Sequence, residues 1–225
     1  MRPITAAEVQ EAVLRLRNHR SPGPDGFRPE WYKYAGLNTC GLLATEFNQM
    51  FILHEKLNAL TEGILIPLNK PNEPRIPAKT RPIVLFNSVR KAFCIILRNR
   101  VLTKMENYLS QNQHGYRPRR STTELIWSAQ WMKATVEKYR ESYKVINTDM
   151  SEAFDRAKRD LLMQILEREV HFDSDELRMT RALLLDISLK IRVGGILGES
   201  FETTKGIPQG DGLSPHLFII YMEYI

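Results

Sequence analysis

Two segments of the chain combine residue types that could do chemistry. In Val145-Ile146-Asn147-Thr148-Asp149-Met150-Ser151-Glu152-Ala153-Phe154-Asp155, a β-branched run gives way to residues that suit a turn into a helix, so Asp149 falls where strand becomes loop. A carboxylate held there is a hard oxygen ligand of the kind Mg2+ requires. The plainer reading is that Asp149 caps the following helix. About fifty residues later, Gly206-Ile207-Pro208-Gln209-Gly210-Asp211-Gly212-Leu213-Ser214-Pro215 forms a Gly/Pro-rich loop entering an apolar helix. Such a loop lets backbone approach a nucleotide or a nucleic-acid strand closely.

These segments need elements to position them, and the patterning supplies short strands within helix-rich flanks. Thr5-Ala6-Ala7-Glu8 reads as a capping box opening a helix with Val9, Val13 and Leu16 on one face, ended by a Pro/Gly turn at 21–26. Helices are expected over 29–35 and 41–56, the second with Leu43, Phe47, Met50 and Phe51 in register. Strands at 63–69 and 81–86, joined by a polar, Pro-rich loop at 72–79, read as a hairpin that projects basic residues. A long helix over 87–109 follows, and Ser121-Thr122-Thr123-Glu124 reads as a second capping box opening a helix to about residue 140. Strand 143–149 then leads to helices over 156–169 and 174–186. A hairpin over 187–205 turns at Gly194-Gly195 or at Leu197-Gly198-Glu199. There is no internal repeat or low-complexity tract.

Composition bounds the partners. The 225 residues are 43% hydrophobic, enough for one substantial core or two joined subdomains. Lys and Arg number 32 against 26 acidic residues, a net charge of +6, which suits a polyanionic partner and equally suits solvated surface. The distribution favours the former. Lys70, Arg75, Lys79, Arg81, Arg90, Lys91, Arg98 and Arg100 lie within one stretch opposed only by Glu73, a density expected to grip phosphates. Cys40 and Cys94, far apart among apolar neighbours, read as buried thiols in a reducing, intracellular setting. No apolar run approaches the length of a membrane span. The histidines show no metal or catalytic spacing.

In this order, the two opening segments resemble the A and B motifs of reverse transcriptases, in the form found in non-LTR (LINE-type) retrotransposons. Four further stretches carry the resemblance. Arg20-Ser21-Pro22-Gly23-Pro24-Asp25-Gly26 is similar to the N-terminal extension motif, and Ile64-Leu65-Ile66-Pro67-Leu68-Asn69-Lys70-Pro71 to the first fingers motif. Thr80-Arg81-Pro82-Ile83, continuing through Lys91 to Arg100, resembles the second fingers motif, and Gln113-His114-Gly115-Tyr116-Arg117-Pro118 the segment before the palm. The Tyr/Phe-x-Asp-Asp signature that follows the B motif in this family has no counterpart, since the sequence contains no Asp-Asp pair.

The resemblance implies an α+β fold, the fingers and partial palm of a right-hand polymerase, helix-rich with a small antiparallel sheet. Residues 1–142 would form the N-terminal extension and fingers, and 143–225 a partial palm. It implies RNA-directed DNA polymerase activity on an RNA template and DNA primer with deoxynucleoside triphosphates, using two Mg2+ ions about 3.5 to 4 Å apart, and a nuclear site of action. Asp149 and the backbone carbonyl of Met150 would bind metal. Arg81, with one or both of Lys70 and Lys79, would meet the triphosphate. Phe154, five residues after Asp149, would lie under the sugar and exclude a ribose 2′-hydroxyl, its plainer reading being core. Gln209 would approach the deoxyribose and template base, with Gly210 allowing the close approach. Lys91, Arg98, Arg100 and Arg117 would contact nucleic acid. Asp211-Gly212 departs from the small or apolar pair usual after Gly210. With Asp149 the one candidate metal carboxylate, the 225-residue chain alone is expected to be inactive. A non-enzymatic RNA-binding remnant or domesticated module is the alternative function, and an intron-type maturase a third.

Overall fold

The computed structural model describes residues 2–53, 57–70, 76 and 80–225. Thr5 opens α1 (Ala6–Leu14) with the expected reciprocal capping box to Glu8, and Pro29 begins α2 (Pro29–Tyr34). Then come α3 (Gly36–Leu53), a single turn α4 (Asn58–Thr61), β1 (Glu62–Asn69), β2 (Thr80–Phe86) and the 21-residue α5 (Ser88–Tyr108). The second half runs α6 (Thr122–Tyr139), α7 (Ala153–Arg156), α8 (Arg159–Arg168), α9 (Ser174–Leu184), β3 (Ile187–Val193), β4 (Ile196–Thr203) and α10 (Ser214–Tyr224).

α5 is the axis of the main core. Its apolar positions Phe93, Leu97, Val101 and Met105 recur at helical spacing and are all fully buried, with Phe93 packed on Phe47 of α3 at 5.0 Å between ring centroids. Leu162, Ile165 and Leu166 of α8, Met179 and Leu183 of α9, and Leu217 and Ile220 of α10 complete that core. A second, smaller cluster of Val84, Phe86, Ile187 and Leu189, with Leu65 against it, covers one face of the sheet.

That sheet corrects one expectation. Its order is β2-β1-β3-β4, and although β1–β2 and β3–β4 are antiparallel hairpins, β1 and β3 pair parallel from Glu62↔Ser188 to Leu65↔Ile191. The sheet is therefore mixed, because the long helical connection from β2 carries the chain to the other side of β1, where β3 runs in the direction of β1. It also joins strands from both sides of residue 143. Gly63, the second residue of β1, is needed for this packing. A Cβ there would sit 2.9 Å from Leu189 Cδ2, with Val84 still nearer.

The strand expected at 143–149 does not form. Residues 141–150 carry no regular structure and every one is exposed. Val145 and Ile146 have the right propensity, but a strand also needs a neighbour to take its backbone hydrogen bonds, and the sheet of the described residues lies elsewhere. α6 before it buries none of its residues, leaving Trp127, Trp131 and Met132 on the surface. The expected capping box at Ser121 is replaced by a simple N-cap. Its hydroxyl accepts from Thr123 N at 3.2 Å, while the Glu124 carboxylate lies 2.9 Å from His114 Nδ1. A full box appears instead at Asp173–Glu176, where the Asp-x-x-Glu spacing before an apolar run was the available signal. Cys40 and Cys94 are buried free thiols. Among the described residues no helix is long and apolar enough to cross a membrane.

Candidate nucleotide and nucleic-acid site

The loop over 206–211 is fastened along its whole length by the chain's own groups. At its start, Gly206 N donates to Ala157 O and Ile207 N to Phe154 O, each at 2.8 Å. Gly206 has φ +83° and packs directly on the Asp155 backbone, where a Cβ would lie 2.8 Å from the Asp155 carbonyl oxygen. Glycine is required there for both reasons. Buried Arg159, from the first turn of α8, donates to the carbonyls of Gly206 (2.8 Å) and Thr203 (2.5 Å) and to Thr203 Oγ1 (2.8 Å). In the middle, Val84 N donates to Gln209 O at 2.7 Å, so the loop extends the edge of β2. Gly210 lacks a side chain because the Val84 carbonyl occupies that space.

At its end the loop is held by a buried ion pair. Asp211 Oδ2 accepts from Arg90 Nη2 at 2.9 Å and Nε at 3.3 Å, with almost no exposed surface on either side chain. Asp211 Oδ1 accepts from Leu213 N, Ser214 N and Ser214 Oγ at 2.8 to 3.1 Å, which caps α10. The acid that looked out of place in the sequence therefore has both oxygens engaged.

Between this loop and the sheet face lies a cleft of about 320 Å³. Leu65, Pro82, Val84 and Leu189 form its floor, with Asp155, Arg159, Lys205 and Gln209 on its walls. Burial, and secondarily the charge of Glu152, raises the Asp155 carboxyl above its ordinary range. The structure thus brings together the Phe154-Asp155 turn, the Gln209-Gly210 loop and the strand that carries Arg81. Arg81 and Lys70 are both exposed. Lys79 lies outside the described residues, as do Glu73 and Arg75. Phe154 is partly buried, its ring stacked on Phe218 at 4.0 Å between centroids. Asp149 and Met150 stand exposed on the irregular segment before this turn, where Glu152 adopts φ +54°.

Among the described residues, the basic run from 70 to 100 does not form one exposed cluster, which corrects the expectation drawn from its density. Helical periodicity turns several of its members inward. Arg98 Nε donates to His216 Nε2 at 3.0 Å. The Arg100 guanidinium holds Glu8 at 2.9 and 3.0 Å and the carbonyls of Arg2 and Pro3, with its side chain 8% exposed. Lys91 is half-buried between Asp25 and Asp211, and burial lowers its ammonium below the ordinary lysine range. Arg117, further along, is bound by Glu106 and by the carbonyls of Ser110 and Gln113. A guanidinium already saturated by carboxylate and carbonyl oxygens has little left to offer a phosphate.

The 20–26 segment has a structural role. Gly23 packs against Asn87, whose Oδ1 accepts from Asp25 N at 3.1 Å, and Tyr32, which bonds the Asp25 carboxyl, is pushed up to about 12, first by its own burial. Among the described residues no group of three or more His, Cys, Asp or Glu side chains converges as a metal site would require. Asp149, alone and exposed, does not build a two-ion centre. Sequence reasoning counted Arg90 among the phosphate-gripping residues and missed Arg159. The signal for Arg90 was its place three, four, seven and eleven residues before Phe93, Cys94, Leu97 and Val101, an apolar face on which a cation needs a buried partner.

Residues 68–225 match the family described as reverse transcriptase (RNA-dependent DNA polymerase), and the chain belongs to that family. Its relatives carry the same theme. It is 25% identical over 222 residues to the probable RNA-directed DNA polymerase from transposon X-element of Drosophila melanogaster, covering 97% of this chain and 24% of that protein. It is 25% identical over 224 residues to the corresponding polymerase from transposon BS of the same fly, covering 98% and 24%. It is 26% identical over 221 residues to the retrovirus-related Pol polyprotein from type-1 retrotransposable element R2 of Popillia japonica, covering 96% and 29%. The expected membership of the reverse transcriptase family is borne out, and the chain spans about a quarter of the length of these relatives.

Proposed function

We propose that the chain supplies the fingers (1–142) and first part of the palm (143–225) of an RNA-directed DNA polymerase that copies retrotransposon RNA into DNA. RNA template, DNA primer and deoxynucleoside triphosphates are its partners, and the nucleus is its place of action. The observation that supports this reading most is the single cleft where three separate motifs meet. Pro82 beside Arg81, Asp155 beside Phe154, and Gln209 all line it.

In this reading Arg81 and Lys70 or Lys79 meet the triphosphate, the Arg as a planar fork and the Lys as a point charge. Phe154 screens the sugar, and Gln209, held by its own carbonyl on β2, presents its side chain to the base and deoxyribose. Lys91, Arg98, Arg100 and Arg117 act on nucleic acid by shaping the surface rather than by direct phosphate contact. The family uses divalent ions, which activate the attacking hydroxyl and stabilise the leaving oxygen when bound. Asp149 and the Met150 carbonyl are proposed as one part of the Mg2+ ligand set.

The test is primer extension on an RNA template by the full protein that carries this chain and by residues 1–225 alone, each beside its Asp149→Ala variant. The full protein is expected to extend the primer and to lose on the order of a thousandfold or more in rate with Asp149→Ala. The 225-residue chain, with one candidate carboxylate, is expected not to extend it. RNA binding by the full protein without incorporation overturns the polymerase reading in favour of a non-enzymatic RNA-binding module.

A further inference from the structure

Arg90 is among the largest fully buried side chains of the described residues, and four elements converge on it. It projects from the first turn of α5 and lies over the Phe86 ring of β2, 3.8 Å from the centroid. It donates to the Leu60 carbonyl of α4 and, at 2.9 Å, to the Leu183 carbonyl of α9. Its remaining capacity goes to Asp211. A guanidinium tied to so many fixed groups is a stationary point, and whatever binds it inherits that position.

Asp211 follows Gly210 directly, so the ion pair is one residue from the turn over 208–210. Within that turn the anchor is the Val84 N–H to Gln209 carbonyl bond. A buried ion pair gains little net stability over apolar packing, because both charges must leave water. What it does supply is a defined distance and direction. Here that definition falls on the residue pair whose backbone lies against β2 and whose side chain, Gln209, faces the cleft.

We propose that Arg90 and Asp211 are positioning residues for the nucleotide-facing turn over 208–210, a reading that rests on the polymerase function above. Neither group touches substrate. Asp211 fixes the turn by joining α5 to the start of α10, and Arg90 fixes Asp211. Arg159 performs the matching task at the other end of the loop through Thr203 and Gly206. The loop is thereby clamped between two buried arginines, and the Gln209 side chain is presented without reorganisation when nucleotide arrives.

The experiment uses the full protein in wild-type form and with Asp211→Asn, which keeps an oxygen for the α10 cap and removes the charge. Arg90→Lys is the second variant, keeping the charge and losing the fork. Val13→Ala, in the core between α1 and its neighbours, is the control for lost stability alone. Two quantities are read: hydrogen-exchange protection of the Val84 amide, and KM for deoxynucleotide against kcat in primer extension. Asp211→Asn and Arg90→Lys are expected to lose Val84 protection beyond that lost in Val13→Ala, and to raise KM about tenfold with kcat changed much less. Val84 protection and KM that track only the fall in melting temperature, as in Val13→Ala, overturn the proposal. A wild-type protein that incorporates no nucleotide refutes the polymerase reading instead, and Val84 protection still decides whether the pair positions the turn.

Discussion

Replacing Gly210 by Ala tests how tightly the loop is seated. A Cβ at that position would lie 3.0 Å from the Val84 carbonyl carbon and nearer still to its oxygen, against ordinary contacts of about 3.4 Å or more. The obstacle is backbone within a paired strand, so it cannot swing aside as a side chain could. Relief requires the turn to lift by on the order of 1 Å, an overpacking cost of about 1–3 kcal/mol. The lift also strains the 2.7 Å bond from Val84 N to Gln209 O, worth about 1 kcal/mol. The lower entropy of the unfolded chain returns about 0.4–1 kcal/mol. The net loss is about 1–3.6 kcal/mol, a fall in melting temperature of roughly 2–14 °C for a domain of this size. Gly212→Ala is the matched control, because a Cβ there meets nothing within 4 Å and its φ lies outside the left-handed region. Thermal unfolding followed by circular dichroism should show Gly212→Ala at or slightly above wild type and Gly210→Ala well below it. Equal melting temperatures for the two variants would refute the claim that Val84 seats the loop.

Three other outcomes follow from the same geometry. Arg81→Ala should lower the slope of log affinity for single-stranded RNA against log salt by about 0.7, whereas Arg100→Ala should leave the slope unchanged and destabilise the fold by freeing Glu8; equal changes in slope contradict the inward role of Arg100. His216 is held down to about 4, first by burial and then by the Arg98 charge, so its neutral form is the one folded. Its contribution is complete above pH 6.5 and is lost as pH falls toward 4, up to roughly 3 kcal/mol, so His216→Gln should unfold with a flatter pH dependence over that window, and parallel curves would exclude the linkage. Phe154→Ala should cost about 2–3 kcal/mol by removing a partly buried ring from its stack on Phe218. In primer extension by the full protein it should also admit ribonucleotides, and wild-type discrimination would leave Phe154 a packing residue only.

Much of the fold was legible where one element decides its own structure. The β1–β2 and β3–β4 hairpins, the α1 capping box and the long α5 all follow from local pattern, and the turn of the second hairpin fell at Gly194-Gly195, one of the two sites the sequence offered. What was not legible depends on partners distant in sequence. The parallel pairing of β1 with β3 joins residues more than a hundred positions apart, and alternation within either strand carries no sign of its neighbour's direction. The basic run misled for a related reason. Density along a chain becomes a surface patch only if the side chains share an exposed face, and on α5 the register sends Arg90 into the core and Arg98 to His216.

The candidate site divides along the same line. Motif matching singled out Gln209, Gly210 and Phe154, whose types and spacing are distinctive, and assigned Gly210's lack of a side chain to substrate approach, whereas the Val84 carbonyl already occupies that space. Asp211 looked like an irregularity because its partner, Arg90, lies 121 residues away, and an isolated acid gives no hint of a buried base. Position in this loop is therefore set from outside it: by Arg159 at one end, by β2 in the middle and by Arg90 at the other. Asp149 has no such set of anchors. Its segment carries strand-forming residues yet lies exposed, so the geometry of the carboxylate depends on backbone partners that the sheet of β1 to β4 does not provide. The 206–211 loop is built in advance by these anchors, whereas the segment bearing Asp149 lies outside the sheet of the described residues.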